Sequence, residues 1–395
     1  KPRSHRLLFG SVAAAAATAI AAGGIAVAVD RSNDGPSQQT ALNAPTSQNP
    51  LGQNGAGQAP QYGNGFGSGG GSVPVPGSGA GAAQSTGPAT AAQQVGVVNI
   101  NTTLNYGEGR AAGTGIVLTP NGEILTNNHV VEGSTAITVT VVTTGKSYTA
   151  TVVGTDPSDD VSVLQLKDAS GLATAKLGDS EKVAVGDAVT AVGNAGGTGG
   201  TPTAAPGTVT ALNQALTASD ANGSNAERLS GMIEVNAAIE AGDSGGPLYD
   251  NATGAVIGID TAASSASARF ATGATTGYAI PIGKALGIAD QIESGKASST
   301  VHIGYPAFLG VQLSPSSQSN GAAIAGVVSG SAAAKAGLQA GDVITAVDGN
   351  TVTSASGLSS VMTNHRPGDS VRLRYTDASG QSHTTTVTLG SGPAD

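Results

Sequence analysis

The sequence predicts a mainly β protein. An apolar N-terminal segment and a polar linker lead into two packed β-barrels, followed by a smaller β-rich domain. Three observations carry this expectation. Short runs rich in Val, Ile and Thr, broken by Gly, Asn and Asp, follow one another from about residue 95 to about 282, at the spacing of an all-β barrel or sandwich. A second stretch of that texture runs from about 303 to 390, beyond a composition break near 294–304. Ahead of both, residues 30–94 are Gly, Ser, Pro, Ala, Gln and Asn with hardly an apolar cluster.

The elements follow in order. Residues 1–6 (KPRSHR) are basic, and Leu7 to Val29 carry no charge. At 1.5 Å rise per residue that run reaches roughly 35 Å, enough to cross a bilayer. The apolar regions of cleavable signals are shorter, roughly 7–15 residues, so 7–29 reads as an uncleaved transmembrane anchor. Its Ala and Gly content and the AVA near its end leave a cleaved signal as the alternative. Lys1, Arg3 and Arg6 place the N-terminus in the cytoplasm and the remainder outside. The expected location is the cell membrane, single-pass, with the folded domains extracytoplasmic. Residues 30–94 cannot bury enough surface to offset ordering and read as a disordered tether.

Within 95–295, runs such as GIVLTP, GEILTNNHVV, AITVTVV, DVSVLQL and GAVIGIDTA read as strands, and only GKALGIADQIE (283–293) reads as a helix. In 303–390, AFLGVQL is a strand, SASGLSSVMTNH an amphipathic helix and SVRLRYTDASGQSHTTTVTL a closing hairpin. The net charge of −9 over 395 residues argues against a nucleic-acid surface. With no Cys, disulfides and thiol catalysis are excluded. Five His and no Cys argue against zinc, and no cofactor motif is present.

The chemistry centres on AIEAGDSGGPL (238–248). A serine hydroxyl needs a base to take its proton. Of His5, His129, His302, His365 and His383, only His129, in TNNHVV, falls inside the long β region. An imidazole base needs a carboxylate to hold its tautomer. DPSDDVSVLQL offers Asp156, Asp159 and Asp160. Asp160 directly precedes the apolar strand, so it is the one expected inside. Asp156 and Asp159 fit a solvated turn. Gly242, Asp243 and Ser244 form the stretch where backbone N–H groups, those of Gly242 and Ser244, can meet an oxyanion. The reading is a catalytic triad of His129, Asp160 and Ser244.

GDSGGPL, TNNHVV and DDVSVLQL, in the order His, Asp, Ser, resemble the chymotrypsin-like serine proteases. GTGIVLTPNGEILTNNHVV, EVNAAIEAGDSGGPL and GYAIPI are similar to those of the HtrA (Deg) family. That resemblance implies two six-stranded β-barrels with the triad in their cleft, and a homotrimer built through the protease domain. The family motif has Asn before the serine. Here Asp243 is expected to pair with Arg110 or Arg228, or to face solvent. The resemblance places the substrate pocket at Ala238 and Ile239, with Ala279 on GYAIPI. No carboxylate stands there to receive Lys or Arg, which implies cleavage after small or medium aliphatic residues. Loops 193–202 and 264–277 are at positions that change shape on activation in the family.

GLQAGDVITAVDGNTV (337–352) matches the PDZ signature, and FLGV (308–311) resembles the family's carboxylate-binding loop. By that resemblance, Phe308, Leu309, Gly310 and Val311, with Leu358 and Val361 on the helix, bind peptide C-termini. The implied activity is a serine endopeptidase acting on misfolded or exposed envelope proteins. The alternative is a PDZ-containing scaffold or chaperone with a latent protease fold.

Overall fold

A computed structural model describes residues 26–28, 85–107, 109–219, 226–261, 276–314 and 320–394. Residues 85–94, expected in the disordered tether, are ordered: Gly87 and Pro88 pair with Ala204 and Thr203 at a strand edge, and Ala89 is buried in the core. The rest of the tether and the 264–275 part of the second predicted loop lie outside the described residues. So does the predicted anchor, except Ala26–Ala28, which form a short strand paired antiparallel with residues 217–219. Those three residues are thus strand where helix is expected, because the neighbouring strand offers them a free edge. No helix among the described residues is long and apolar enough to cross a membrane.

Among the described residues of 95–295, twelve strands form the framework. β1 (Val97–Leu104), β2 (Gly109–Val117), β3 (Glu123–Thr126), β4 (Ser134–Val141), β5 (Ser147–Asp156) and β6 (Val161–Leu166) come first. β7 (Ala188–Gly193), β8 (Thr203–Ser219), β9 (Ala226–Val235), β10 (Pro247–Asp250), β11 (Ala255–Thr261) and β12 (Gly277–Pro281) follow. The first six pair as β1-β2-β3-β6-β5-β4, and β4 pairs back to β1. The second six pair as β7-β8-β9-β12-β11-β10, and β10 pairs back to β7. Both rings close, both are antiparallel, and both run in the same strand order, which agrees with the two six-stranded barrels expected.

Side-chain alternation explains why the strands read as apolar pairs rather than strict alternations. Successive strand residues point to opposite faces. Val117, Ile124 and Leu164 point into the first barrel. Their neighbours Ile116, Leu125 and Val163 point out of it, into a shared core with Val192, Met232, Tyr249 and Ile280 of the second barrel. Ala191, Ile233, Leu248 and Ile257 fill the second barrel. Each barrel thus has one apolar interior and one apolar flank, and the flanks face each other. Helix α2 (Ile282–Glu293) closes this seam with Ile282, Ala285, Ala289 and Ile292. It starts one residue before its expected position. The short helix α1 (Asn128–Val131) carries His129.

The C-terminal domain has its own core. Its sheet runs β13 (Val311–Leu313), β14 (Ala322–Val327), β15 (Val343–Val347), β16 (Ser370–Thr376) and β17 (Ser382–Thr388), with β13 and β17 as edges. Helices α3 (Ala332–Lys335) and α4 (Ala355–Met362) complete it. The segment between the domains is docked. His302 and Ile303 pair with Thr155 and Gly154 of β5. The Tyr305 hydroxyl accepts from the Val152 N–H at 3.3 Å. Ala394 is buried in the first barrel's core and exchanges backbone bonds with Gly133 and Ser134, 2.7 and 3.0 Å.

Gly154 makes the linker contact possible, since a Cβ there would stand 2.6 Å from the His302 carbonyl and 2.7 Å from Ile292. Gly154→Ala should therefore lift the linker strand. A strain of about 1.4 kcal/mol would raise its opened population about tenfold. Tryptic cleavage at the exposed Lys296, timed by mass spectrometry, should accelerate accordingly.

Candidate active site

Three aspartates compete for the role beside His129, and the backbone sorts them. Asp156, at the end of β5, is buried and caps the following turn, accepting from Ser158 N (3.1 Å), Ser158 Oγ (2.6 Å) and Asp159 N (3.3 Å). It is not the solvated residue the sequence suggests. Asp159 forms an ion pair with Lys284 of α2 at 2.6 Å. Asp160 takes a left-handed conformation (φ 53°, ψ 45°), uncommon for a side-chain-bearing residue. That turn lets β6 begin at Val161 while the Asp160 carboxyl faces α1.

Asp160 is 2% exposed. Its carboxylate accepts from the His129 backbone N–H (3.0 Å), from His129 Nδ1 (2.9 and 3.0 Å to the two oxygens) and from Thr261 Oγ1 (3.3 Å). Its carbonyl accepts from Asn127 Nδ2 at 2.9 Å. A carboxylate only accepts hydrogen bonds, so Nδ1 carries the proton and Nε2 is left with the lone pair. His129 is the exposed member, with 22% of its side chain accessible.

Ser244 lies in the turn that enters β10, 4% exposed. Four consecutive carbonyls of this turn are held. Ala241 O accepts from Gly196 N (2.7 Å), Gly242 O from Thr114 Oγ1 (2.7 Å), Asp243 O from Gly246 N (2.9 Å) and Ser244 O from Thr114 N (2.8 Å). A peptide unit is planar, so fixing a carbonyl fixes the N–H on its far side. The Gly242 amide is thereby aimed away from Gly196, and the Ser244 amide away from Gly246. The Asp243 amide instead donates to Glu240 O at 3.0 Å. Asp243 is therefore not an oxyanion donor, which corrects its place in the expected set. Gly242 is obligatory: its φ is 98°, and a Cβ would lie 2.2 Å from the Asn194 carbonyl. This brings part of the first predicted loop (193–202) directly against the turn.

Asp243 neither faces solvent nor pairs with Arg110 or Arg228. It is 3% exposed, both arginines are exposed, and its Oδ2 accepts from Glu240 N at 2.9 Å. Burial pushes its carboxyl up to about 7; the Glu240 N–H lowers it and the Glu240 charge raises it. Asp260, fully buried on β11, is raised well above the carboxylate range by burial and then by Asp243.

The expected pocket residues divide. Ile239 (4% exposed) and Ala279 (0%) belong to the second barrel's core, where Ile239 fills the space left by Gly277. Only Ala238 is half-buried. In the C-terminal domain, Leu309 and Leu358 have their side chains in the core, and Val311 and Val361 pack half-buried against it. Phe308 turns to the first barrel and stacks on Tyr106, ring centroids 5.7 Å apart, lining a cleft of about 520 Å³ with Ser331, Lys335 and Leu389. The side chains of Phe308, Leu309 and Leu358 thus serve packing where a groove is expected. Backbone is what the loop presents: Leu309 O accepts from Ala333 N and Gly310 O from Val328 N, 2.8 and 2.9 Å. The amide of Gly310 therefore faces away from α3.

Sequence reasoning missed Thr114, Asn194, Asp260 and Thr261. Thr114 and Thr261 stand inside quoted runs, GTGIVLTP and GIDTA, but nothing in their spacing ties them to His129 or Ser244.

Two barrels of one strand order, with His129 and Asp160 on the first and Ser244 on the second, followed by a PDZ-like unit, define the trypsin-like peptidase class with an appended domain. A trypsin-like peptidase domain matches residues 113–259, and a PDZ domain matches 307–389. Serine protease PepD of Mycobacterium tuberculosis is 37% identical over 307 residues, 74% of this chain and 63% of that protein. A probable periplasmic serine endoprotease, DegP-like, of Halomonas elongata is 35% identical over 296 residues, 72% of this chain and 58% of that protein. The solved HtrA-type protease AlgW with tripeptide is 30% identical, covering 76% of this chain and 95% of that one, at a TM-score of 0.43. The chain belongs to the HtrA-type serine proteases. It spans less than two thirds of the length of these two curated relatives.

Thr114→Val should remove the hydroxyl and leave Gly242 O and Asn194 N, both bonded to it, unsatisfied. Each buried orphan costs about 1–3 kcal/mol. Urea unfolding should show the loss in stability, and labelling of Ser244 by a fluorophosphonate should slow in parallel.

Proposed function

We propose that this chain is a serine endopeptidase. Ser244 attacks the scissile carbonyl. His129 Nε2 takes its proton and returns it to the leaving amine, and Asp160 holds the imidazole. The amides of Gly242 and Ser244 receive the oxyanion. Hydrolysis of the acyl-enzyme by water completes the cycle. The observation that carries this reading is the Asp160 carboxylate, buried and accepting from His129 Nδ1, His129 N and Thr261 together.

Substrates are misfolded or exposed envelope proteins. The PDZ domain takes their C-termini, with the carboxylate at the Leu309 and Gly310 amides and the peptide added beside edge strand β13. The pocket at Ala238, shallow because Ile239 is packed on Gly277, favours small or medium aliphatic residues. Peptide-library profiling dominated by Lys or Arg would refute that preference. The domains extend over 95–295 and 303–390, and the protease forms a homotrimer, carried over from the family and testable by light scattering. An N-terminal anchor fits the same reading. With Ala26–Ala28 in a strand, a charge-free run of residues 7–25 would still reach about 28 Å as a helix. Carbonate extraction of membranes tests it.

β-casein cleavage should fall at least about a thousandfold in Ser244→Ala and about ten-thousandfold in Asp160→Asn, where the imidazole adopts the wrong tautomer. Adding a peptide with a hydrophobic C-terminus should raise the parent rate. If neither parent nor variant cleaves under any condition, the scaffold reading replaces this one.

A further inference from the structure

Helix α1, which carries His129, spans only Asn128–Val131 and is closed by a bond from Glu132 N to Asn128 O at 2.9 Å. One turn fixes its dihedrals for too few bonds to hold itself in water. The place of His129 is therefore set by what surrounds α1. At the helix start, the His129 N–H donates to Asp160 at 3.0 Å. Beneath it Val130 lies on Gly113, where a Cβ would stand 2.6 Å from the valine, and Val131 is buried in the first barrel.

The other end of the turn is held from the C-terminal domain. Phe308 and Ala307 pair antiparallel with Gly390 and Ser391. Gly392 N donates to Pro306 O at 2.9 Å. Ala394 then enters the first barrel, 4% exposed, in the same apolar cluster as Val130 and Val131. Its N–H donates to Ser134 O and its carbonyl accepts from Gly133 N. The Gly133 carbonyl accepts in turn from Asn105 N at 3.0 Å. The next amide, Tyr106 N, donates to Thr135 Oγ1 at 3.2 Å, and the Tyr106 ring stacks on Phe308.

Both backbone groups of Gly133, four residues after His129, are thus fixed by partners outside the turn. One of those partners, Ala394, takes no part in the C-terminal domain's own core. Nor is it needed to dock that domain, since His302 and Ile303 pair with β5 and Tyr305 bonds to Val152. What Ala394 does contact is the segment that ends α1.

We propose that residues 390–394 are a positioning strap for the general base. Ala394, through Gly133 and Ser134, fixes the end of α1 so that His129 keeps Nδ1 on the Asp160 carboxylate. The protease site is thereby completed by a segment of the C-terminal domain. The consequence for turnover rests on the peptidase reading; the placement of the imidazole does not.

The experiment compares the full-length parent with a deletion of residues 392–394 and with Ala394→Gly. The deletion removes both bonds to the α1 end, and glycine keeps them. Two quantities are read: kcat and KM on β-casein, and the low-field proton line of His129 Nδ1–H, assigned by its absence in His129→Ala. The deletion should lower kcat about ten- to a hundredfold with KM unchanged, the effect of a small misplacement remote from the chemistry. Its His129 line should broaden into solvent exchange, while Ala394→Gly keeps the parent's rate and line. A sharp His129 line in the deletion variant, or the parent's kcat, would overturn the proposal. If no protein cleaves, the peptidase reading has failed and the line alone decides. If the deletion prevents folding, the parent decides: in rising urea the Gly133 amide should lose protection from hydrogen exchange together with the His129 line. Free exchange of that amide beside a sharp line refutes the strap.

Discussion

The hydroxyl and backbone of one residue, Thr114, join the two barrels at the Ser244 turn. Thr114 belongs to β2 of the first barrel. Its Oγ1 donates to Gly242 O and accepts from Asn194 N, its N–H donates to Ser244 O, and its carbonyl accepts from Thr126 Oγ1. Every polar atom of this fully buried residue is used. The turn around Ser244 thus takes its shape from the other barrel. A hydrogen bond contributes little net energy but costs much when left unmade. The seam therefore supplies position more than stability, and the apolar flanks of the barrels supply the adhesion. Another tie across the seam, Thr261 to Asp160, works in the reverse direction, from the second barrel to the first.

Much of this was legible in the sequence. The barrels show as apolar pairs because each strand serves two cores, a signal that is local and periodic. His129 was legible by elimination, and Asp160 by standing directly before an apolar strand. Asp156 was not. Its burial depends on capping the turn with its own side chain, which from the sequence resembles any polar turn residue. Thr114 and Asp260 were illegible for another reason. Their partners lie far along the chain, at Gly242 and around Asp243, and the register that brings them together exists only once both rings have closed.

The PDZ residues show the limit of reading a motif as a list of side chains. Leu309 and Leu358 are apolar because the domain needs a core, and the same apolar character suits a groove. The helix pattern of α4 places Leu358 inward. What the loop exposes is backbone, and backbone orientation is set by where its carbonyls go. At Gly310 that outcome depends on the carbonyls reaching Ala333 and Val328. It also depends on a φ of 82°, at a position where a Cβ would lie 2.1 Å from Ser331. The glycine of FLGV is therefore the informative residue, more than the hydrophobes around it.

Several departures from ordinary local rules meet around Ser244. Asp160 takes a left-handed conformation, Gly242 admits no side chain, and Asp243 and Asp260 keep carboxyls where apolar groups would pack without penalty. Other departures lie elsewhere, such as the left-handed Tyr106 and Asn213, while several caps follow local preference. Ser331 and Ser354, for example, cap α3 and α4 as serines before helices normally do. A fold tolerates strain where surrounding structure over-determines it, and violations concentrate where geometry is needed for something other than stability. The left-handed Asp160 aims a carboxylate at an imidazole. The glycine lets the chain approach Asn194.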